Sequence, residues 1–240
     1  MTQETSFTGV VCGLKSEARC LQPMNKLNDS HDSASIKIAV SGASASRARD
    51  IAKVFAVSGA KGLISFGISG GLMDRLKPGD LIIASTVTEA SGAVYSTDPI
   101  WSKSITDSAK AHSLTLHPAP LYGAASMVST QQDKQNIYEE TGAWAVDMES
   151  HGVAETAESL GLPFIAVRAI ADPANRAIPQ SAAQGVAPDG GVAPLPVLKA
   201  LVRRPGDFGP LLQLNKDSQA ALGALSNCVR KLLGSLLRPL

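Results

Sequence analysis

The chain has 240 residues, 44 % of them hydrophobic, which is enough apolar material for the core of one α/β domain spanning 1–240 rather than two. A formal net charge of +1 and an aromatic share of only 4 % speak against a basic nucleic-acid surface and against base-stacking platforms. Three scattered cysteines, Cys12, Cys20 and Cys228, make no disulfide framework and suit a reducing compartment. No apolar run reaches transmembrane length, and the N-terminus lacks a basic-then-apolar leader, so the expected location is the cytoplasm.

Phe7 to Gly13 reads as a first strand with Gly13 as a tight exit, and Ser16 with Glu17 opens a helix carrying Ala18, Cys20 and Leu21. The polar stretch Pro23 to Ser35 reads as a loop. Ile36 to Val40 is a second strand. The small-residue loop SGASAS follows and enters a helix from about Arg47 to Val57, an arrangement whose backbone N–H groups can cradle an anion. Gly62 to Phe66 predicts a third strand, GISGGL a tight turn, and LKPGDLIIAS the approach to a strand over Asp80 to Val87. Asp98 to His112 suits an amphipathic surface helix, Leu121 to Val128 a further strand pair, and Gln131 to Thr141 a short helix.

Ala143 to Asp172 is the most informative stretch. Ala143 to Val146 is a short apolar run, Asp147 and Glu149 mark the passage into a helix, and apolar residues then recur at helical spacing to Leu160. Gly161 and Pro163 end that helix. Phe164 to Ala171 is a nearly unbroken apolar run, as in a parallel strand covered on both faces, closed by Asp172. Read as strand, helix, strand, this places Asp147, Glu149 and Asp172 at the carboxyl ends of two parallel strands, where α/β proteins bind ligands. Glu149 alone is equally well a first-turn carboxylate on the helix dipole, and so is Glu17. Arg168 must be paired or line a cavity. Pro173 to Gly191 is irregular, a lid or a plain connector. Pro194 to Val202 and Asn215 to Leu237 read as helices. The latter carries a leucine-rich stripe from Leu222 to Leu236 that normally packs on a sheet, with a membrane-surface role as the second reading.

VDMES followed by VRAIAD resembles the paired signature of the nucleoside phosphorylase and nucleosidase superfamily. VVCGLKSEARCL and the order GISGGL, LKPGD, apolar strand are similar to its other landmarks. The resemblance implies a three-layer αβα sandwich with a central mixed, partly barrel-like sheet, and cleavage of the N-glycosidic bond of a purine nucleoside. It implies no metal or organic cofactor, no nucleic-acid partner, and assembly as a homo-oligomer. Carried onto matching positions, it makes Asp172 the acid toward purine N7 and Glu149 the partner of the ribose 2′-hydroxyl. Met148 then packs on the sugar, and Gly67 and Ile68 lie against the sugar and nucleophile. Met127 and Val128 lie near the base, Ala43 beside a roomy 5′ side, and Glu17 with Arg168 faces the nucleophile.

The nucleophile is divided by the same resemblance. Phosphate-binding arginines found in hexameric purine phosphorylases are missing at Glu17 and near Ser65, which favours water. Nucleosidase serines are replaced by Ile68 and Ala171, which disfavours it. The overall pattern, with GLKSEAR, RAIADPANRAIP and a helical tail, looks closest to the hopanoid-associated phosphorylases. Those would remove adenine from adenosylhopane with inorganic phosphate as co-substrate, near a membrane-borne lipid. A methylthioadenosine/S-adenosylhomocysteine nucleosidase and a non-catalytic nucleoside-binding relative are the alternatives.

Overall fold

The structure, a computed structural model, describes residues 7–22, 35–182, 185, 187, 189–191 and 193–236. The loop expected over Pro23 to Ser35 lies outside the described residues except Ser35, which begins a strand. In chain order the elements are β1 (Phe7–Cys12), α1 (Lys15–Cys20), β2 (Ser35–Val40), α2 (Ala45–Val57), β3 (Ala60–Gly71), β4 (Leu81–Glu89), β5 (Val94–Ser96), α3 (Pro99–Ala111), β6 (Leu116–Gly123), α4 (Gln131–Thr141), β7 (Ala145–Asp147), α5 (Ser150–Ser159), β8 (Phe164–Asp172), α6 (Pro194–Arg203) and α7 (Phe208–Leu236).

The sheet is mixed and closes on itself. β3 pairs β7 antiparallel, β7 pairs β6 parallel, and β6 pairs β4 parallel. β4 pairs β8 antiparallel, and β8 returns to β3 in parallel. These five strands form a ring, while β1 and β2 extend it beyond β3 and β5 hangs from β4. Helices cover both faces. One apolar cluster joins β1, β3 and β8 to α3 and α7, and a second joins them to α2 and α5. This is the expected αβα sandwich with a partly barrel-like centre.

Two expectations change. GISGGL is not a turn: β3 runs straight through it to Gly71, because β8 and β7 supply partners on either side of Gly70. Nor is the stretch from Ala143 to Asp172 a parallel strand–helix–strand unit. β7 runs antiparallel to β3 and β8 parallel to it, so the two strands reach Gly70 from opposite directions. The site is therefore a meeting point in the barrel wall, not the common carboxyl edge of an open sheet.

In place of the strand pair expected over Leu121 to Val128 there is one strand, β6, which starts at Leu116 and ends at Gly123. The helix expected from Asn215 begins at Phe208. The apolar stripe of α7 is core: Leu225, Val229, Leu232 and Leu236 are buried against β8, α3 and α1. Each such side chain stabilises the fold by about 1.5–3 kcal/mol. The Cys20 thiol lies 3.5 Å from the Leu222 carbonyl, and the Trp101 indole N–H donates to the Ser235 carbonyl at 2.9 Å, so α7 is fastened to α1 and α3.

Candidate active site

A cavity of about 180 Å³ opens where β3, β7 and β8 meet α1. Glu17, Glu149 and Asp172, far apart in sequence, all line it. So do Ala43, Ile68, Met127, Val128 and Met148. Of the residues singled out from sequence, Gly67 and Arg168 are not among the lining, and both act from behind the wall.

Glu17 sits in the first turn of α1 and reaches back to accept the Leu14 N–H at 2.8 Å, half of a capping arrangement. Its other oxygen accepts the Ile68 N–H from β3 at 2.9 Å. Burial pushes its pKa up, against the pull of the Ile68 N–H and Arg168. Gly67 makes this placement feasible, since a Cβ there would lie 2.6 Å from the Glu17 carboxyl carbon. Gly13 does the same for Glu149, with a built Cβ 2.6 Å from Oε1. Two glycines thus make room for two carboxylates.

Arg168 does not face the cavity as expected. Its Nε donates to Asp147 at 2.5 Å, its Nη2 to the Ser65 hydroxyl at 2.6 Å, and its Nη1 to the Val167 carbonyl at 3.1 Å. It lies 3.9 Å from Glu149. Asp147 also accepts the Ser150 hydroxyl at 2.6 Å and the Ser150 N–H at 3.2 Å. Arg168 therefore works through Asp147 and Glu149. Burial pulls its pKa down, but the surrounding carboxylates outweigh that and leave it raised. Burial and the Asp147 charge push Glu149 up to about 8, despite Arg168.

Asp172 ends β8 and accepts Lys134 Nζ at 2.5 Å. Lys134 is fully buried and also donates to the Pro173 and Arg176 carbonyls, each at 2.9 Å. Burial pushes Asp172 up to about 6 even though Lys134 pulls it down. An acid with a pKa there can both hold and release a proton near neutrality. The described part of the segment after Asp172 is pinned at the rim. The Ile178 N–H donates to the Ser129 carbonyl at 2.8 Å, Gln131 Nε2 to the Asn175 carbonyl at 2.5 Å, and Ile178 lines the cavity.

Residues 34–193 match the phosphorylase superfamily. The chain belongs to that superfamily. No curated protein matches it in sequence. Among solved structures, this phosphorylase-superfamily chain is similar to futalosine hydrolase of Helicobacter pylori, with TM-score 0.72 and 14 % identity over 97 % of this chain and 99 % of the other. It is also similar to the 5′-methylthioadenosine/S-adenosylhomocysteine nucleosidase of Helicobacter pylori, with TM-score 0.72 and 14 % identity over 96 % and 99 %. The corresponding Neisseria meningitidis nucleosidase gives TM-score 0.70 and 16 % identity over 96 % and 99 %. At these identities the likeness speaks to the fold alone.

Two site residues of this superfamily member have no assignment from sequence. Lys134 lies in QQDKQNIYEET, a helix without an apolar stripe. Asp147, expected among the ligand-facing carboxylates, is in addition the partner of Arg168. Ser69 lines the cavity with its hydroxyl buried and without a hydrogen-bond partner among the described residues. A buried hydroxyl left so is a ready contact for a ligand. Its proximity to Gly70 in a strand read as a turn concealed it.

Proposed function

We propose that the protein cleaves the N-glycosidic bond of an adenine nucleoside carrying an apolar 5′ group. The observation that carries this reading is the convergence of Glu17, Glu149 and Asp172 on one cavity. Asp172 donates a proton to the departing purine at N7, and the sugar develops oxocarbenium character as the bond lengthens. Glu149 hydrogen-bonds the ribose 2′-hydroxyl. Met148 packs on the sugar, and Met127 and Val128 flank the base. Glu17, fixed by two backbone N–H groups and raised in pKa, takes a proton from the acceptor.

Water is the acceptor this cavity favours. Among the described residues no Lys or Arg lines it, whereas Glu17, Asp147, Glu149 and Asp172 all do. A phosphate dianion there forgoes the charge-assisted bonds it normally receives. Phosphate is the second reading, supported by the raised pKa of both Glu17 and Glu149, which lowers the repulsion and leaves protons to donate. The remaining lining includes the apolar Leu14 and Ile178. That suits a hydrocarbon 5′ substituent and makes adenosylhopane, the substrate implied by the resemblance, the first to try.

The test follows adenine release by chromatography from detergent-dispersed adenosylhopane and from methylthioadenosine, each with and without phosphate. Release without phosphate is expected, faster from the lipid nucleoside. Release that requires phosphate makes the protein a phosphorylase. Failure to release adenine from either, with both still bound, makes it a binding relative. Light scattering on the same preparation reads the homo-oligomer that the resemblance implies.

A further inference from the structure

The apolar stripe near the end of the chain is used up by the core, yet other apolar side chains have nothing to cover them. In α6, Leu198 is 59 % exposed and Val202 78 %. They stand four residues apart, on one face of the helix. A turn over Pro205–Asp207 leads into α7, where Phe208 and Leu212, again four apart, are each 57 % exposed.

Cations run beside them. Lys199 and Arg203 form the stripe of α6 adjoining Leu198 and Val202, and Arg204 follows at its end. Together with Gln180 and Ser181 these three line a hollow of about 430 Å³. Among the described residues none of the three cations pairs with a carboxylate. The neighbouring carboxylate, Asp207, is instead engaged by the Ser181 hydroxyl at 2.7 Å and the Ser181 N–H at 3.3 Å.

We infer that this surface, the outer face of α6 with the first turns of α7, docks onto an anionic lipid bilayer. Exposed aliphatic and aromatic side chains next to unpaired Lys and Arg are the chemistry by which a helix lies in a membrane interface, apolar groups inserted and cations at the phosphates. A second copy of this chain is the poorer occupant. In a two-fold pairing the basic stripe would meet its own image. Position also counts. Ile178 lines the active-site cavity and Gln180 lines the basic hollow, and two residues of extended chain span at most about 7 Å. The basic hollow therefore begins within two residues of the cavity wall. The inference goes beyond the proposed reaction and does not depend on which nucleoside is cleaved.

The experiment is flotation of the full chain with phosphatidylcholine vesicles, with and without phosphatidylglycerol, at low and high salt. Binding is expected to the anionic vesicles only and to weaken with salt. The variant Lys199→Glu/Arg203→Glu is expected to bind at least tenfold less tightly, since each basic residue at an anionic surface contributes roughly fivefold. Leu198→Glu/Val202→Glu is expected to lose binding as well. These side chains are solvent-facing, so melting temperature and adenine release from a soluble nucleoside should match the parent protein, and vesicle binding is read independently of turnover. Three results overturn the inference. One is a parent protein that fails to float with anionic vesicles at low salt. Another is both variants floating undiminished. The third is an oligomer that never bound vesicles and is dissociated by Leu198→Glu/Val202→Glu, which would make the face a subunit contact.

Discussion

Two buried ion pairs stand at the ends of two strands, and they are put to different use. Arg168 and Asp147 are each 1 % exposed at the side chain, and their hydrogen-bonding capacity is nearly exhausted by each other, Ser65, Ser150 and Val167. Lys134 is just as buried, but its partner Asp172 keeps 11 % of its side chain open to the cavity. In the first pair the charges are locked into a post that holds Glu149 in place. In the second, one cation is set against burial, and the carboxyl is left with a pKa of about 6. Completeness of the hydrogen bonding separates a scaffold from a tuned acid.

The comparison breaks most severely at Arg168. Arg168→Met leaves Asp147 buried without its cation, which should cost about 3–5 kcal/mol of folding free energy. Denaturant unfolding reads this, and adding Asp147→Asn should recover part of the loss. Asp172→Asn leaves Lys134 with the Pro173 and Arg176 carbonyls but no counter-charge, so it should cost less folding free energy than Arg168→Met while lowering kcat by about 10²–10⁴-fold, the usual weight of a general acid. Calorimetry should still show the nucleoside bound. An equal loss of stability in both variants would erase the distinction between the two pairs.

Two pH experiments sharpen it. The protonated share of Asp172 falls as pH rises through about 6, so kcat/KM should decline about tenfold per pH unit above that point. Lys134→Met removes the cation that lowers this pKa, so the decline should begin at higher pH. A profile that does not move would deny Lys134 its tuning role. The second concerns Glu149. Its folded-state pKa of about 8 lies above the ordinary 4.5, so the folded chain binds more protons between those values. Its contribution to stability is therefore greatest below about pH 4.5, is lost as pH rises toward 8, and is flat beyond. Glu149→Gln should flatten that slope in melts taken across the range.

Much of this arrangement can be read from residue order. The helical spacing after Met148, the apolar run of β8 and the Asp98 start of α3 are local signals, and the structure repeats them. What escaped depends on partners distant in sequence. GISGG has the composition of a turn and stays extended only because β7 and β8 flank it. LHPAPLYG contains two prolines, and only its last three residues fall within an expected strand, yet all of it forms β6 between β4 and β7. Lys134 shows no sign of burial because its helix has no apolar stripe. The placement of Glu17, Glu149 and Asp172 around one cavity was visible from motif order, whereas the withdrawal of Arg168 behind Asp147 was not.

The last long helix has a consequence for how the protein comes into being. α7 packs against β8, which ends in Asp172, and is hydrogen-bonded to α1, which carries Glu17. The two walls of the pocket are thus clasped by an element synthesised after both. On the ribosome, a nascent chain that already carries Glu17, Glu149 and Asp172 would lack this clasp until α7 emerges and seats itself.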